Sequence, residues 1–219
     1  MLRWMDVFFY QSSRSFLIET HMLQREEDRI RAAIAIIKSG GTVVYPTETV
    51  YGLGADALSE AAVREVYRAK RRDVSLPLSL AVSSFEMLHN VAYVESESAG
   101  ILTELLPGPV TVLLRKKKVV PDVLTAASAV VGVRFPDNEL AVRIIRETGP
   151  ITATSANISG RNPPTCIEEV ELKADSIING GKCKYSMPST VVDMTAANRE
   201  TAKIKRRGAC YDRVLHVLR

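Results

Sequence analysis

Apolar residues recur at helical spacing in several segments of the chain. Ile30, Ala33, Ile34 and Ile37 fall on one helical face, and the double glycine at 40–41 predicts where that helix ends. The same signals predict further helices, two of them with Ser59 and Asp137 as N-caps, and others near residues 84–90, 97–106, 166–173 and 211–218.

Short apolar runs between these segments predict β-strands. Each run is bounded by glycine, proline or polar residues, which is typical of strand ends. Because strands and helices alternate, the sequence predicts an α/β fold with a twisted, mostly mixed sheet and flanking helices. The predicted strands lie at residues 15–20, 42–45, 78–82, 110–114, 130–133, 151–154, 176–179, 189–194 and 202–206.

The sequence shows no internal repeat, low-complexity tract or linker, so residues 15–219 are predicted to form one domain. Residues 1–14 fit no element, and we expect either a mobile N-terminal arm or an extension upstream of the true start. Asp6, Gln11 and Arg14 interrupt the apolar patches near this end, which argues against a signal peptide. A cytoplasmic location is therefore predicted.

Charge and cysteine content narrow the classes of partner only slightly. The formal net charge of +4 is compatible with nucleic acid or phosphate ligands, although many ordinary enzymes are as basic. Cys166, Cys183 and Cys210 are widely spaced and form no CxxC pair. A disulfide framework or a protein-built metal site is not expected from this spacing.

Cationic residues follow several predicted elements. Lys70, Arg71 and Arg72 close one helix, Arg134 ends a strand, and a basic pair at 206–207 ends another. Open α/β sheets bind ligands at strand ends, and three separated cationic clusters suit a triphosphate. Ordinary surface loops are the simpler alternative for any one of these segments, and we favour an exposed surface position for Arg71.

The familiar nucleotide and nucleophile motifs are missing. There is no GxxxxGK[ST] loop, and the GxG at 52–54 lacks the third glycine of a dinucleotide fingerprint. Ser155 lies in TSANISG rather than GxSxG, which argues against a serine hydrolase. A serine and an asparagine in such a loop are better suited to hold phosphate oxygens or a ribose.

Six segments in order resemble the YrdC-like family, the threonylcarbamoyl-AMP synthases of tRNA modification. The resemblance covers roughly residues 28–208, and the chain is most similar to the short, single-domain form, because it ends soon after RRG. The segments are PTETVYGLG (46–54), KxR followed by PL (70–78), PGPVT (107–111), VGVRFPD (131–137), TSANISG (154–160) and PSTVVD (188–193).

The resemblance implies a reaction and a set of partners. L-threonine, bicarbonate or CO2, and ATP with Mg²⁺ would give threonylcarbamoyl-adenylate and pyrophosphate. A partner transferase would then move the threonylcarbamoyl group to ANN-decoding tRNA, making t6A. The implied fold has a concave, positively charged cleft, and no enzyme nucleophile is required.

The family motifs also imply roles for single residues. Thr47, Arg134 and Ser189 would bind threonine, with Arg134 pairing to its carboxylate. Lys70 and Arg72 would act as catalytic residues by stabilising the phosphate charge. The implied ATP-binding residues are Lys70, Arg72, Ser155, Asn157 and Arg206. Asp73, Leu76 and Pro163 depart from the family pattern, at what would be the outer edge of the ATP site.

Two alternative functions stay open at this point. A non-catalytic module binding double-stranded RNA or tRNA would suit the basic balance and a concave face, read by shape and phosphate. A carbamoyl-transfer domain like those within hydrogenase-maturation proteins is a further alternative. The chain is too short to include the other domains of those proteins.

Overall fold

The computed structural model of the protein describes residue 24, residues 26–196 and residues 201–219. The predicted strand at 15–20 and the N-terminal arm at 1–14 lie outside the described residues. The helices are α1 (26–38), α2 (Glu60–Lys70), α3 (Phe85–Val91), α4 (Ser96–Leu105), α5 (Asp122–Thr125), α6 (Glu139–Thr148) and α7 (Tyr211–Val217). The strands are β1 (Val43–Tyr45), β2 (Gly52–Gly54), β3 (Ser79–Ala81), β4 (Val110–Arg115), β5 (Val130–Arg134), β6 (Ile151–Ser155), β7 (Ser176–Ile177), β8 (Thr190–Asp193) and β9 (Lys203–Arg206).

The nine strands of the described residues join one mixed sheet in the order β7-β1-β2-β6-β3-β5-β4-β8-β9. The pairs β1–β7, β3–β5 and β4–β8 are parallel, and the other five neighbouring pairs are antiparallel. Strands distant in sequence are therefore neighbours in space, as β2 and β6 are. The predicted α/β class with a mixed, twisted sheet is confirmed.

The core is divided between the two faces of the sheet. Val43 and Tyr45 pack into the cluster that includes the buried residues of α1 and α6. Val44, between them, packs into the larger cluster with α2, α4 and α7. This alternation follows from the period of two residues in a strand, and it leaves both faces of β1 buried.

Helix caps explain where several helices begin. The Ser59 side chain accepts a hydrogen bond from the backbone N–H of Ala62, which confirms it as the N-cap of α2. The prediction of Asp137 as a cap was wrong by one residue. Asn138 has the extended backbone of an N-cap, and its side chain accepts from the backbone N–H of Ala141.

The structure differs from the predicted elements in three further places. The GLG segment forms β2, which is not among the predicted strands. The helix predicted at 166–173 is only a 3-10 turn at Ile167–Glu169, next to which the Glu169 carboxylate accepts from the backbone N–H of Thr165. The short helix α5 has no counterpart among the predicted elements. Within the part of the chain that the structure describes, no helix is long and apolar enough to cross a membrane.

Candidate functional site

The ends of several strands surround one cavity of about 260 Å³. Six of the residues implied by the family motifs line it: Thr47, Arg72, Arg134, Ser155, Ser189 and Arg206. These residues are spread over 160 positions of sequence. They come together because strands that are distant in sequence are neighbours in the sheet. The rest of the described lining is Tyr45, Val50, Tyr51, Gly52, Pro77, Leu78, Ser79, Thr111, Leu113, Ala153, Thr154, Pro163, Pro188 and Val191.

The turn after β1 is organised by the hydroxyl of Thr47. This hydroxyl donates to the carbonyl of Val50 at 2.6 Å, and it lies 2.9 Å from the hydroxyl of Thr49. Because its one proton goes to Val50, the Thr49 hydroxyl must be the donor between the two threonines. The Thr47 side chain is thus already used within its own turn, so a ligand at this position would meet an ordered, rigid wall.

Arg134 connects β5 to this turn through a buried ion pair. Its Nη2 lies 2.8 Å from Oε1 of Glu48 and donates to the Thr49 hydroxyl at 2.5 Å. Glu48 is 4% exposed and Arg134 is 9% exposed. The Nε of Arg134 and the Oε2 of Glu48 are buried and have no hydrogen-bond partner among the described residues. Each group therefore keeps one polar atom that its pairing does not satisfy.

Ser189 and Arg206 form a second set of contacts in the cavity wall. Nε and Nη2 of Arg206 both donate to the backbone carbonyl of Ser189, at 3.2 and 2.9 Å, and Nη2 also donates to its hydroxyl. That hydroxyl lies 2.7 Å from the Thr111 hydroxyl on β4. Gly208 lies directly behind: a Cβ there would be 2.3 Å from the Pro188 carbonyl oxygen and 2.4 Å from that of Ser189.

Cationic side chains outnumber anionic ones in the described lining of the cavity. The part of the lining that the structure describes holds three arginines and no aspartate or glutamate. Burial, and then the nearby charge of Arg134, lower the pKa of Arg206. Arg72 is folded onto its own loop, where Nε and Nη2 donate to the carbonyls of Leu76 and Pro77. Such a wall favours anionic ligands.

Lys70 and Asn157 lie behind the wall rather than in it. The Lys70 ammonium donates to the backbone carbonyls of Ser155 and Asn157, at 2.8 Å for Asn157. Burial, and then the charge of Arg72, lower the Lys70 pKa to about 8. The Asn157 amide donates to the carbonyls of Ile158 and Arg161, so it shapes the loop, while its Oδ1 is buried without a partner among the described residues.

Sequence reasoning missed several residues that build this site. Glu48 and Thr49 belong to the PTET motif. An acidic residue between two threonines was a signal that a basic residue pairs with this segment. Thr111 belongs to PGPVT and supports Ser189. Tyr51 carries no such signal: its hydroxyl donates to the Gly181 carbonyl at 2.8 Å and accepts from the Gly180 N–H at 3.0 Å, which holds a distant loop against the turn.

A family model covers most of the chain. The model of the Sua5/YciO/YrdC family, described as "Telomere recombination", matches residues 35–208. The chain belongs to this family. The resemblance seen in the six motifs is thereby confirmed, and the cavity described above is the place where the motifs of this Sua5/YciO/YrdC chain meet.

Relatives of this Sua5/YciO/YrdC chain are found among archaeal proteins. A protein of Methanocaldococcus jannaschii is 43% identical over 162 residues, which are 71% of this chain and 75% of that protein. The threonylcarbamoyl-AMP synthase of Pyrococcus abyssi is 43% identical over 176 residues, 78% of this chain and 52% of that protein. The chain therefore spans about half the length of the P. abyssi relative. The structure of P. abyssi Sua5 complexed with L-threonine matches with a TM-score of 0.78 at 40% identity, over 82% of this chain and 54% of that one.

Proposed function

We propose that this protein is a threonylcarbamoyl-AMP synthase, which converts L-threonine, bicarbonate or CO2, and ATP into threonylcarbamoyl-adenylate and pyrophosphate. The observation that carries the proposal is the single cavity in which Thr47, Arg134, Ser189, Ser155, Arg72 and Arg206 meet. The reaction joins two anions, so a cavity wall with three arginines and no carboxylate suits it. The product would be consumed in t6A formation on tRNA by a partner transferase in the cytoplasm.

The threonine end of the reaction is assigned to Arg134, with Thr47 and Ser189 beside it. Arg134 lines the cavity, and a guanidinium group is a suitable partner for the substrate carboxylate. Because the hydroxyl of Thr47 is used within its turn, we expect Thr47 to meet the substrate through its backbone or its fixed shape. The hydroxyl oxygen of Ser189 is held in place by Thr111 and Arg206.

The ATP end is assigned to Arg72, Ser155 and Arg206, with Mg²⁺ entering as part of the substrate. Mg²⁺ carried by ATP is held mostly by phosphate oxygens and water. The described residues contain no group of three His, Cys, Asp or Glu arranged for a metal, and the donor set of the wall is suited to phosphate. Lys70 and Asn157 are proposed to serve the same end by fixing the loop that carries Ser155, with Lys70 adding charge behind it.

The chemistry needs alignment more than a reactive side chain. The neutral amine of threonine adds to CO2 and loses a proton, which gives a carbamate. A carbamate oxygen then attacks the α-phosphorus of ATP, and pyrophosphate leaves. Holding the two reactants together and offsetting their charge contribute most of the acceleration in such a reaction. Bound substrates that fill the cavity would also shelter the labile carbamate from water.

The test is pyrophosphate release by purified protein with MgATP and bicarbonate, with and without L-threonine. We expect release that depends on threonine. Lys70→Ala should impair adenylate formation more than threonine binding. Arg134→Ala should weaken threonine binding by about 2–4 kcal/mol, the range for loss of a desolvated pair such as that between the Arg134 guanidinium and the threonine carboxylate. Folded protein with no release above background would contradict the proposal and favour the RNA-binding alternative.

A further inference from the structure

Among the described residues, Glu48 carries the one carboxylate that contacts an arginine of the cavity. Its Oε1 accepts from Nη2 of Arg134 at 2.8 Å, and its backbone carbonyl accepts from the N–H of Tyr185. The side chain is buried, so the ion pair is sheltered from solvent. A buried ion pair of this kind costs desolvation free energy to form. Removing one partner strongly destabilises the protein, because it leaves a buried charge without a partner.

Glu48 stands behind the cavity rather than in its wall. It lines a neighbouring cavity, with which the main cavity shares Thr47. A group in that position acts on a ligand of the main cavity through another residue, and Arg134 is the residue it contacts. The pairing takes up Nη2 of Arg134 and leaves Nε as a donor without a partner among the described residues.

The charge of Glu48 also matters for the wall as a whole. Arg134 and Arg206 are close enough for the charge of one to lower the pKa of the other. When no anionic ligand is bound, two such guanidinium groups repel each other. A carboxylate fixed to Arg134 offsets that repulsion and holds the guanidinium in one position.

We propose that Glu48 is a positioning residue of the synthase, which fixes the Arg134 guanidinium for the carboxylate of threonine and balances its charge in the empty site. The inference rests on the proposed function. Glu48 does not touch the reacting atoms in this proposal. Threonine binding depends on Glu48, whereas ATP binding is assigned to other residues and does not. The alternative is an ion pair that stabilises only the fold.

The experiment compares Glu48→Gln, Glu48→Asp and Glu48→Ala in steady-state pyrophosphate release, varying threonine and ATP in turn. We expect the KM for threonine to rise at least about tenfold in Glu48→Ala, with the KM for ATP within about twofold of wild type. Glu48→Gln keeps an acceptor for Arg134 and loses only the charge, so its threonine KM should lie between those of Glu48→Ala and the wild type.

The matched control is Asp175→Asn, which alters a carboxylate with a purely structural set of contacts. Oδ2 of Asp175 accepts from the N–H and the hydroxyl of Thr42, at 2.7 and 2.9 Å, and Asp175 does not line the cavity. We expect this variant to melt at a lower temperature with an unchanged threonine KM. Thermal unfolding of every variant shows whether the loss of stability is comparable.

The outcomes separate the two proposals. Threonine-dependent release by the wild type, with equal KM values in all Glu48 variants and Asp175→Asn, would overturn the role of Glu48 and leave the synthase proposal standing. No threonine-dependent release by folded wild-type protein would overturn both. If Glu48→Ala does not fold, Glu48→Gln and Glu48→Asp decide the matter, and a threonine KM within twofold of wild type in both is evidence against positioning.

Discussion

Gly208 offers the sharpest test of how closely the cavity wall is packed. Its φ does not lie in the left-handed region, so an alanine there is strained only by its surroundings. A Cβ would meet backbone rather than a movable side chain: the Pro188 carbonyl oxygen at 2.3 Å, the Ser189 carbonyl oxygen at 2.4 Å and the Ser189 carbonyl carbon at 2.5 Å. Carbon–oxygen contacts normally begin at about 3.3 Å, so relief needs a shift of about 1 Å.

That shift would disturb contacts on both sides of the strand end. The backbone N–H of Ala209 donates to the Pro188 carbonyl at 2.8 Å, and Arg206 donates twice to the Ser189 carbonyl. We expect Gly208→Ala to lower the free energy of unfolding by about 3 kcal/mol, the upper end of the range for overpacked sites. Urea denaturation followed by circular dichroism measures this value.

The control is Gly100→Ala, in the middle of α4, where a Cβ would have nothing within 4 Å. Here alanine should raise the free energy of unfolding by about 0.5–1 kcal/mol, because glycine weakens a helix interior. The two substitutions add the same methyl group and are expected to act with opposite sign. A Gly208→Ala protein within about 0.5 kcal/mol of wild type would refute the steric reasoning.

Three further predictions follow from contacts in and behind the wall. Gly132→Ala would place a Cβ 2.3 Å from Oγ of Ser79. Because a side chain can move, we expect the free energy of unfolding to fall by only about 1–2 kcal/mol in the same urea assay, less than for Gly208→Ala. A fall larger than that of Gly208→Ala would contradict this reasoning. Tyr51→Phe removes the hydroxyl that donates to the Gly181 carbonyl and accepts from the Gly180 N–H, and it should lower the free energy of unfolding by about 1–3 kcal/mol. An unchanged free energy of unfolding would mean that other contacts hold the loop at Gly180 and Gly181. The Lys70 pKa is lowered to about 8, so the free protein loses this charge as pH rises through about 8, and kcat/KM for ATP should fall there; a flat profile up to pH 9.5 would speak against charge supplied by Lys70.

The sequence predicted the elements that local chemistry determines. Ser59 capped its helix as expected, since an N-cap needs only its own side chain and the next turn. Most strands were placed to within a residue or two, as at 110–114, because each is a short apolar run with polar ends. The GLG segment was missed as a strand because its partners, β1 and β6, are set by the fold rather than by its own propensity.

The site was predictable only in part, for a related reason. The motifs identified Arg134 and Ser189 as candidates, and the structure brings both to one cavity. What they contact could not be read from sequence, because Glu48 and Arg134 are 86 positions apart and meet only when the sheet forms. The position of Lys70 behind the wall likewise depends on carbonyl groups 85 and 87 positions away.

The strand order of the sheet has a consequence for how the protein folds. The cavity lining runs from Tyr45 on β1 to Arg206 on β9, and five of the eight neighbouring strand pairs in the sheet join strands that are not consecutive in sequence. Chains whose contacts are mostly non-local close large loops before those contacts stabilise them, and they fold slowly. The cavity can be complete only when β9 has paired with β8, so the capacity to bind ligand should be acquired late in folding, and ligand should slow unfolding more than it speeds refolding.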